Sequence, residues 1–337
     1  MLSGATTLII GAGSSVDFEM PVGAALAADI CQRLAFSWEH TGVFKSGDPL
    51  ILAALRERFP GESYRPFIAA AQKLAAVLPG FASIDDCLYT HGEDERVRLV
   101  GKLAIARIIA ERENRSWLAD VWGLQPDVAL AKIQGGWAQG LARILATGLR
   151  ASDRNLLFNN LTMITFNYDR CAETAFFHCV KKIFHVGDQE AAETMAALRI
   201  VRPYGGLGLL PWAGREGEPF GNQAPDLFAL AERIQVYTDD QGERPDLELM
   251  RQTVAQSANV IALGFGFHPL NMRLLRAPRP NGDYPKSFAT AVGEPGPRRI
   301  EIAERIQQTF GTPIPLVSIS SGTCTQLVAQ YGGQFSG

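Results

Sequence analysis

Asn167, Tyr168 and Asp169 follow directly on the apolar run "LTMITF" (161–166). An amide is not an acid, base or nucleophile near neutral pH, but its donor and acceptor can hold a ribose hydroxyl or a water. A water held in that way suits cleavage of a glycosidic bond through an oxocarbenium-like state, where the positioned water completes the reaction. Asn and Asp are also good helix caps, so either Asn167 or Asp169 can open the helix that the next residues predict.

Other predicted strands end in a similar way. "TTLII" (6–10) runs into Gly11-Ala12-Gly13-Ser14-Ser15, and "LRIVRPY" (198–204) into Tyr204-Gly205-Gly206. "ANVIAL" leads to Gly264-Phe265-Gly266-Phe267-His268, and the last strand gives Ser318, Ser320, Ser321, Gly322 and Thr323. Ligands of open α/β sheets sit beyond the carboxyl ends of the strands. Five small, polar or glycine-rich strand ends therefore point to a nucleotide site. "GAGSSV" has the first two glycines of a dinucleotide fingerprint, but Val16 stands where the third would allow close helix–strand packing. No second strand stands about 20 residues on to carry the acidic residue of a dehydrogenase, so hydride transfer fits poorly. A purely structural turn, and a turn that binds phosphate or ribose through backbone N–H groups, both remain open.

The elements that must position these residues are legible from periodicity. Apolar, β-branched runs at 6–10, 161–166, 198–204, 233–238, 258–265 and 314–320 predict strands. Helical spacing separates several of them, as in "DRCAETAFFHCVKKIF", "DLELMRQTVAQS" and "PRRIEIAERIQQTF". "GAALAADICQRLAF" (23–36) is helical, but "SSVDFEMPV" with Pro21 is awkward for a helix starting directly at the glycine turn. Residues 45–150 are rich in Ala and Leu at helical spacing without good strand signals, and Ser83 is placed to cap a helix carrying Asp85 and Asp86. "GLGLLPWAGREGEPFGNQAP" (206–225) reads as a loop, one that can lie over a site. The fold class expected is α/β: a Rossmann-like, mostly parallel sheet with helices on both faces and a large all-helical insertion. The division expected is 1–40 with 151–337 as the sheet domain and 41–150 as the inserted module.

Composition narrows the class. The chain has 337 residues, 20% of them charged, and a net charge of −3, so there is no global electrostatic case for nucleic acid. Cysteines at 31, 87, 171, 179 and 324 lack zinc-module spacing and read as scattered thiols of a reducing cytosol. "TTLIIGAG" is too short and lacks the basic flank of a signal peptide, and no run reaches the ~18 apolar residues of a membrane span. A cytoplasmic protein with no metal and no membrane contact is expected.

"GAGSSVDFEMPVG", "ITFNYD", the Tyr-Gly pair of "RPYGGLG" and "LGFGFHPLN", in that order, together with "SIDDCL", resemble the sirtuin-like NAD-binding domain of bacterial anti-phage defence proteins. The resemblance spans nearly the whole chain. It implies a Rossmann-like domain that takes NAD as substrate and cleaves the nicotinamide–ribose bond. It places Gly11, Ala12, Gly13 and Ser14 at the phosphates and nearby ribose, Gly264 and Phe265 along the ribose, and Ser321, Gly322 and Thr323 at the adenine end. Asn167 matches the catalytic asparagine that positions water or ribose, and Asp169 the acidic residue near the nicotinamide.

Tyr204 stands where sirtuins carry the histidine that acts as general base. A phenol with a reference pKa of about 10 is a poor base at neutral pH. The four-cysteine ribbon of protein deacylases is missing too. Both departures speak against lysine deacylation and are tolerable for NAD hydrolysis, where water needs positioning more than ribose chemistry needs a base. They equally suit a catalytically weak or inactive subunit that binds NAD or ADP-ribose. His185 and His268 are alternative sources of an imidazole. The resemblance further implies control by self-assembly into a homo-oligomer or by a defence partner such as a DNA-translocase ATPase or a nucleic-acid-guided protein. No sensor domain is evident after residue ~330.

Overall fold

The computed structural model describes residue 2 and residues 4–236, 245–276 and 284–335. Its strands are β1 (Thr6–Ile10), β2 (Ser37–Trp38), β3 (Phe44–Ser46), β4 (Leu161–Thr165), β5 (Arg199–Val201), β6 (Asn259–Leu263), β7 (Lys286–Thr290) and β8 (Val317–Ser320). Six of them form one sheet in the order β5-β4-β1-β6-β7-β8, parallel at every pairing. β1 and β6 are buried at every position, as strands covered on both faces must be. Counted along the chain, the sheet runs 3-2-1-4-5-6, the order of dinucleotide-binding sheets. The order reverses between β1 and β6. Ile10 pairs with Thr165 on one side and Leu263 on the other, so the loops after β1, β4 and β6 leave the sheet at one level.

The helices are α1 (Gly23–Leu34), α2 (Pro49–Arg58), α3 (Arg65–Val77), α4 (Ile84–His91), α5 (Glu95–Arg115), α6 (Pro126–Gly135), α7 (Trp137–Ala146), α8 (Cys171–Phe184), α9 (Asp188–Met195), α10 (Leu227–Arg233), α11 (Pro245–Gln256), α12 (Pro269–Leu275), α13 (Gly296–Phe310) and α14 (Cys324–Phe335). α7 packs between α8 and α14, and α12 packs between α11 and α13. In the inserted block α5 is the central rod, against which α1, α3 and α10 lie. Its buried residues run from Val97 to Glu113 and are apolar except for Glu113, while Arg98, Lys102, Arg107 and Glu111 interrupt them. Ser83 caps α4, its Oγ accepting the Asp86 N–H at 3.1 Å, and Asp48, Asp94 and Asp226 cap α2, α5 and α10. One continuous apolar cluster runs through both the block and the sheet layers.

Four local expectations change. β3 falls inside 41–150, paired antiparallel with β2 and held by Trp38 against Phe44, so the block is not wholly helical. Of the run 233–238, the described residues 233–236 form no strand. Asp226 accepts the N–H groups of Phe228 and Ala229, which commits "LFALAER" to helix, and Ile234 makes only an isolated bridge to Gly205. Residues 237 and 238 lie outside the described residues. The helical spacing expected across 45–150 is interrupted at Gly135-Gly136, which separates α6 from α7. β7 carries no strong strand signal in sequence and becomes a strand by pairing with β6 and β8. After β1 the chain makes a 3₁₀ turn, Ala12–Phe18, and the α-helix waits until Gly23, beyond Pro21. Among the described residues, no helix is long and apolar enough to cross a membrane.

Candidate functional site

Gly11, Gly13 and Gly264 let the loops after β1 and β6 touch through their backbones. Gly264 has φ +60°, and a Cβ there would lie 1.9 Å from the Ser14 nitrogen. A Cβ on Gly11 would lie 2.6 Å from the Gly264 oxygen. The N–H groups of Gly11, Gly13 and Ser14 donate to Leu263 O, Gly264 O and Gly11 O at 2.9–3.0 Å. The Ser14 hydroxyl donates to Gly11 O at 2.8 Å. The glycine turn thus ties the two loops together at the switch point, and those three N–H groups are engaged within the fold.

From β4 the Asn167 side chain reaches into this junction. Its Nδ2 donates to Gly11 O at 3.1 Å and to Ser15 Oγ at 3.0 Å. Ser15 donates in turn to Asp169 Oδ1 at 3.0 Å, which also accepts the Cys171 N–H at 3.0 Å. Asp169 therefore supports the start of α8, as a capping residue does, and Asn167 does not. Burial pushes the Asp169 carboxyl above its ordinary range, against the hydrogen bonds that lower it. Asn167 is only 6% exposed, and its Oδ1 is buried with no hydrogen-bond partner in the protein. A buried amide oxygen of that kind is costly unless something completes it.

Tyr204 is buried, with its ring against Phe166 and Tyr168, and its hydroxyl donates to Asn271 Oδ1 at 2.7 Å. Phe265 packs on Phe166 and Phe267. Phe267 holds φ +53°, a costly setting for an aromatic residue, of the kind that gathers at functional loops. The inserted block closes this side. The Tyr168 hydroxyl donates to Asp85 Oδ1 at 2.5 Å, and Asp86 Oδ2 lies 3.5 Å from His268 Nε2.

Behind the site is a charged layer. Arg170 is fully buried on Glu113, with 2.6 Å between Nη2 and Oε2, and donates also to the carbonyls of Glu218 and Pro219 in the 206–225 loop. Arg202 pairs with Glu173, and burial lowers its pKa to about 10.

Gly11, Ala12, Gly13, Ser14, Asn167, Asp169, Tyr204, Gly264 and Phe265 thus meet at the carboxyl ends of β1, β4 and β6. Ser321, Gly322 and Thr323 belong to the turn between β8 and α14. There Thr323 N–H donates to Gln326 Oε1 and Gln326 N–H to Thr323 Oγ1, a reciprocal helix cap. The next residue, Cys324, hydrogen-bonds to the Thr290 side chain and the Gly264 backbone, which brings the turn beside the β6 loop. His268 lies at the site. His185 ends α8, a 14-residue helix that carries it about 20 Å from Asp169.

The sequence reading leaves Ser15, Asn271, Asp85 and Asp86 without roles at the site. Each stands in a motif already singled out: "GAGSS", "LGFGFHPLN" and "SIDDCL". Among the described residues no group of three or more His, Cys, Asp or Glu gathers as a metal site. A cavity of about 1170 Å³ opens elsewhere, between α2, α5 and α10, where Arg107 pairs with Glu111 at 2.7 Å. It contains none of the strand-end residues. No protein-family model, curated protein or solved structure matches this chain.

Proposed function

We propose that this protein is an NAD hydrolase that cleaves the nicotinamide–ribose bond to give nicotinamide and ADP-ribose. The observation that carries the reading is Asn167, a buried amide with an unpartnered Oδ1 at the switch point of a 3-2-1-4-5-6 sheet. Dinucleotides lie across that point in such sheets. A ribose hydroxyl or water donating to Oδ1 would complete the amide. The polar chain from Asn167 through Ser15 to Asp169 fixes the amide's orientation, so it would meet its ligand without reorganising.

In this reading Asn167 orients the attacking water or the ribose, Asp169 lies toward the nicotinamide, and Gly264 and Phe265 line the ribose. Ala12 and the glycine turn lie at the phosphates, and residues 321–323 at the adenine end. The reaction would be held in check in the cytoplasm until assembly or a defence partner, such as a DNA-translocase ATPase or a nucleic-acid-guided protein, releases it. An unrestrained enzyme of this kind would exhaust its own cell's NAD.

A second reading is supported by the Tyr204 hydroxyl, which is spent on Asn271 rather than poised as a base, and by the engaged N–H groups of the glycine turn. In it the chain is a catalytically weak or inactive NAD- or ADP-ribose-binding subunit. Product analysis separates the two. Purified protein, alone and with the product of its neighbouring gene, is incubated with NAD. Nicotinamide and ADP-ribose in equal amounts support hydrolysis. Calorimetric binding of NAD with no product supports the subunit, and reduced nicotinamide would contradict both.

A further inference from the structure

We propose, resting on the hydrolase reading, that α4 of the inserted block is part of the reaction site and that the Tyr168–Asp85 couple is its proton acceptor. Water attack on the ribosyl centre must shed a proton, and the other polar groups at the strand ends are committed elsewhere. Asn167 transfers no protons. Asp169 accepts from Ser15 and from the start of α8. Tyr204 donates to Asn271, and His268 stands by Asp86 on the rim. Tyr168 directly follows Asn167, and its hydroxyl donates to Asp85 Oδ1, which joins the strand end to α4 of the inserted block.

In the step, water adds to ribose C1′ as the bond from C1′ to the nicotinamide nitrogen breaks. Nicotinamide leaves with the bonding pair as a neutral ring. The proton given up by the water passes to the Tyr168 oxygen while the phenol's own proton passes to Asp85. The half-buried Asp85 then releases that proton to solvent past Asp86 and His268, which are 29% and 32% exposed.

The groups acting on Asp85 are consistent with this task. Desolvation raises its carboxyl above the ordinary range. The Tyr168 hydrogen bond, its own backbone N–H and the charge of His268 lower it, and Asp86 on the same helix raises it. The helices packed on α4 turn apolar faces to the core, with Leu26, Ile30 and Leu34 from α1 and Val97, Val100 and Leu103 from α5. Cys31 of α1 stands by Cys87. Asp85 must be ionised to accept, so the rate falls as pH drops through its raised pKa.

The test compares wild type, Asp85→Asn, Asp85→Glu and Tyr168→Phe, alone and with the neighbouring gene product. Nicotinamide release is followed across about pH 5 to 9, NAD affinity by calorimetry, and folding by circular dichroism. Asp85→Asn still accepts the Tyr168 hydroxyl, so the fold and the NAD Kd hold while kcat falls about 100-fold or more. Asp85→Glu recovers part of the rate. Tyr168→Phe lowers kcat by about 10-fold or more and moves the acid limb to higher pH, because it removes a bond that keeps Asp85 ionised. Wild-type turnover with Asp85→Asn within about threefold at every pH overturns this proposal and leaves the hydrolase reading standing. NAD binding without turnover by the wild type overturns both.

Discussion

Asn167 and His178 are both buried polar side chains with an atom unpartnered in the protein, and their surroundings give them different consequences. Asn167 Oδ1 lies among loop backbones at the end of a sheet, where a ligand hydroxyl can complete it. His178 lies on α8 between Trp122 and Phe177, and burial lowers its pKa to about 4. Its consequence is thermodynamic. The unfolded chain takes up a proton below its pKa of about 6.5, while the folded chain resists until about 4. Folded-state stability linked to His178 is therefore complete above about pH 6.5 and is lost as pH falls, by up to roughly 3 kcal/mol. Denaturation midpoints measured from about pH 7 to 4.5 should fall more steeply for wild type than for His178→Phe, and parallel curves would refute the assignment.

At the scale of elements, the site depends on two contacts between distant segments. The first is the backbone junction of the β1 and β6 loops. Gly264→Ala puts a Cβ on the Ser14 nitrogen at a left-handed φ and is expected to cost about 3 kcal/mol. Gly266→Ala, two residues on, meets open space and should stay within about 0.5 kcal/mol. Urea denaturation of the pair checks the contrast, and equal losses would mean that the junction is not tight. The second is Glu113 of α5 under Arg170, which ties the inserted block to the start of α8. Glu113→Ala leaves a buried guanidinium without its carboxylate and should cost about 3–5 kcal/mol by the same measurement.

For the whole molecule, sequence legibility follows the range of the interactions. The glycine turn, "ITFNYD" and "LGFGFHPLN" are each local, and the rule that ligands lie beyond strand ends gathers them from sequence alone. Pairings across the insertion are not local. Asp85 lies 83 residues from Tyr168 and Glu113 lies 57 from Arg170, so nothing in spacing announces them. β7 was hidden for a related reason, since "KSFAT" becomes a strand through its two neighbours rather than its own pattern. The start of the 233–238 run misleads in the other direction, because Arg233 is taken by the Asp226-capped α10 and Ile234 makes an isolated bridge to Gly205. The candidate site as a whole is thus a sheet feature completed by the inserted helices, with Asn167 proposed to direct cleavage of NAD. Nicotinamide release by wild type and by Asn167→Ala, matched for circular dichroism and assayed alone and with the neighbouring gene product, decides whether it does. Wild type should release nicotinamide and the variant should be slower by about 100-fold or more; equal release by the two proteins, or none by wild type under either condition, would refute this role of Asn167.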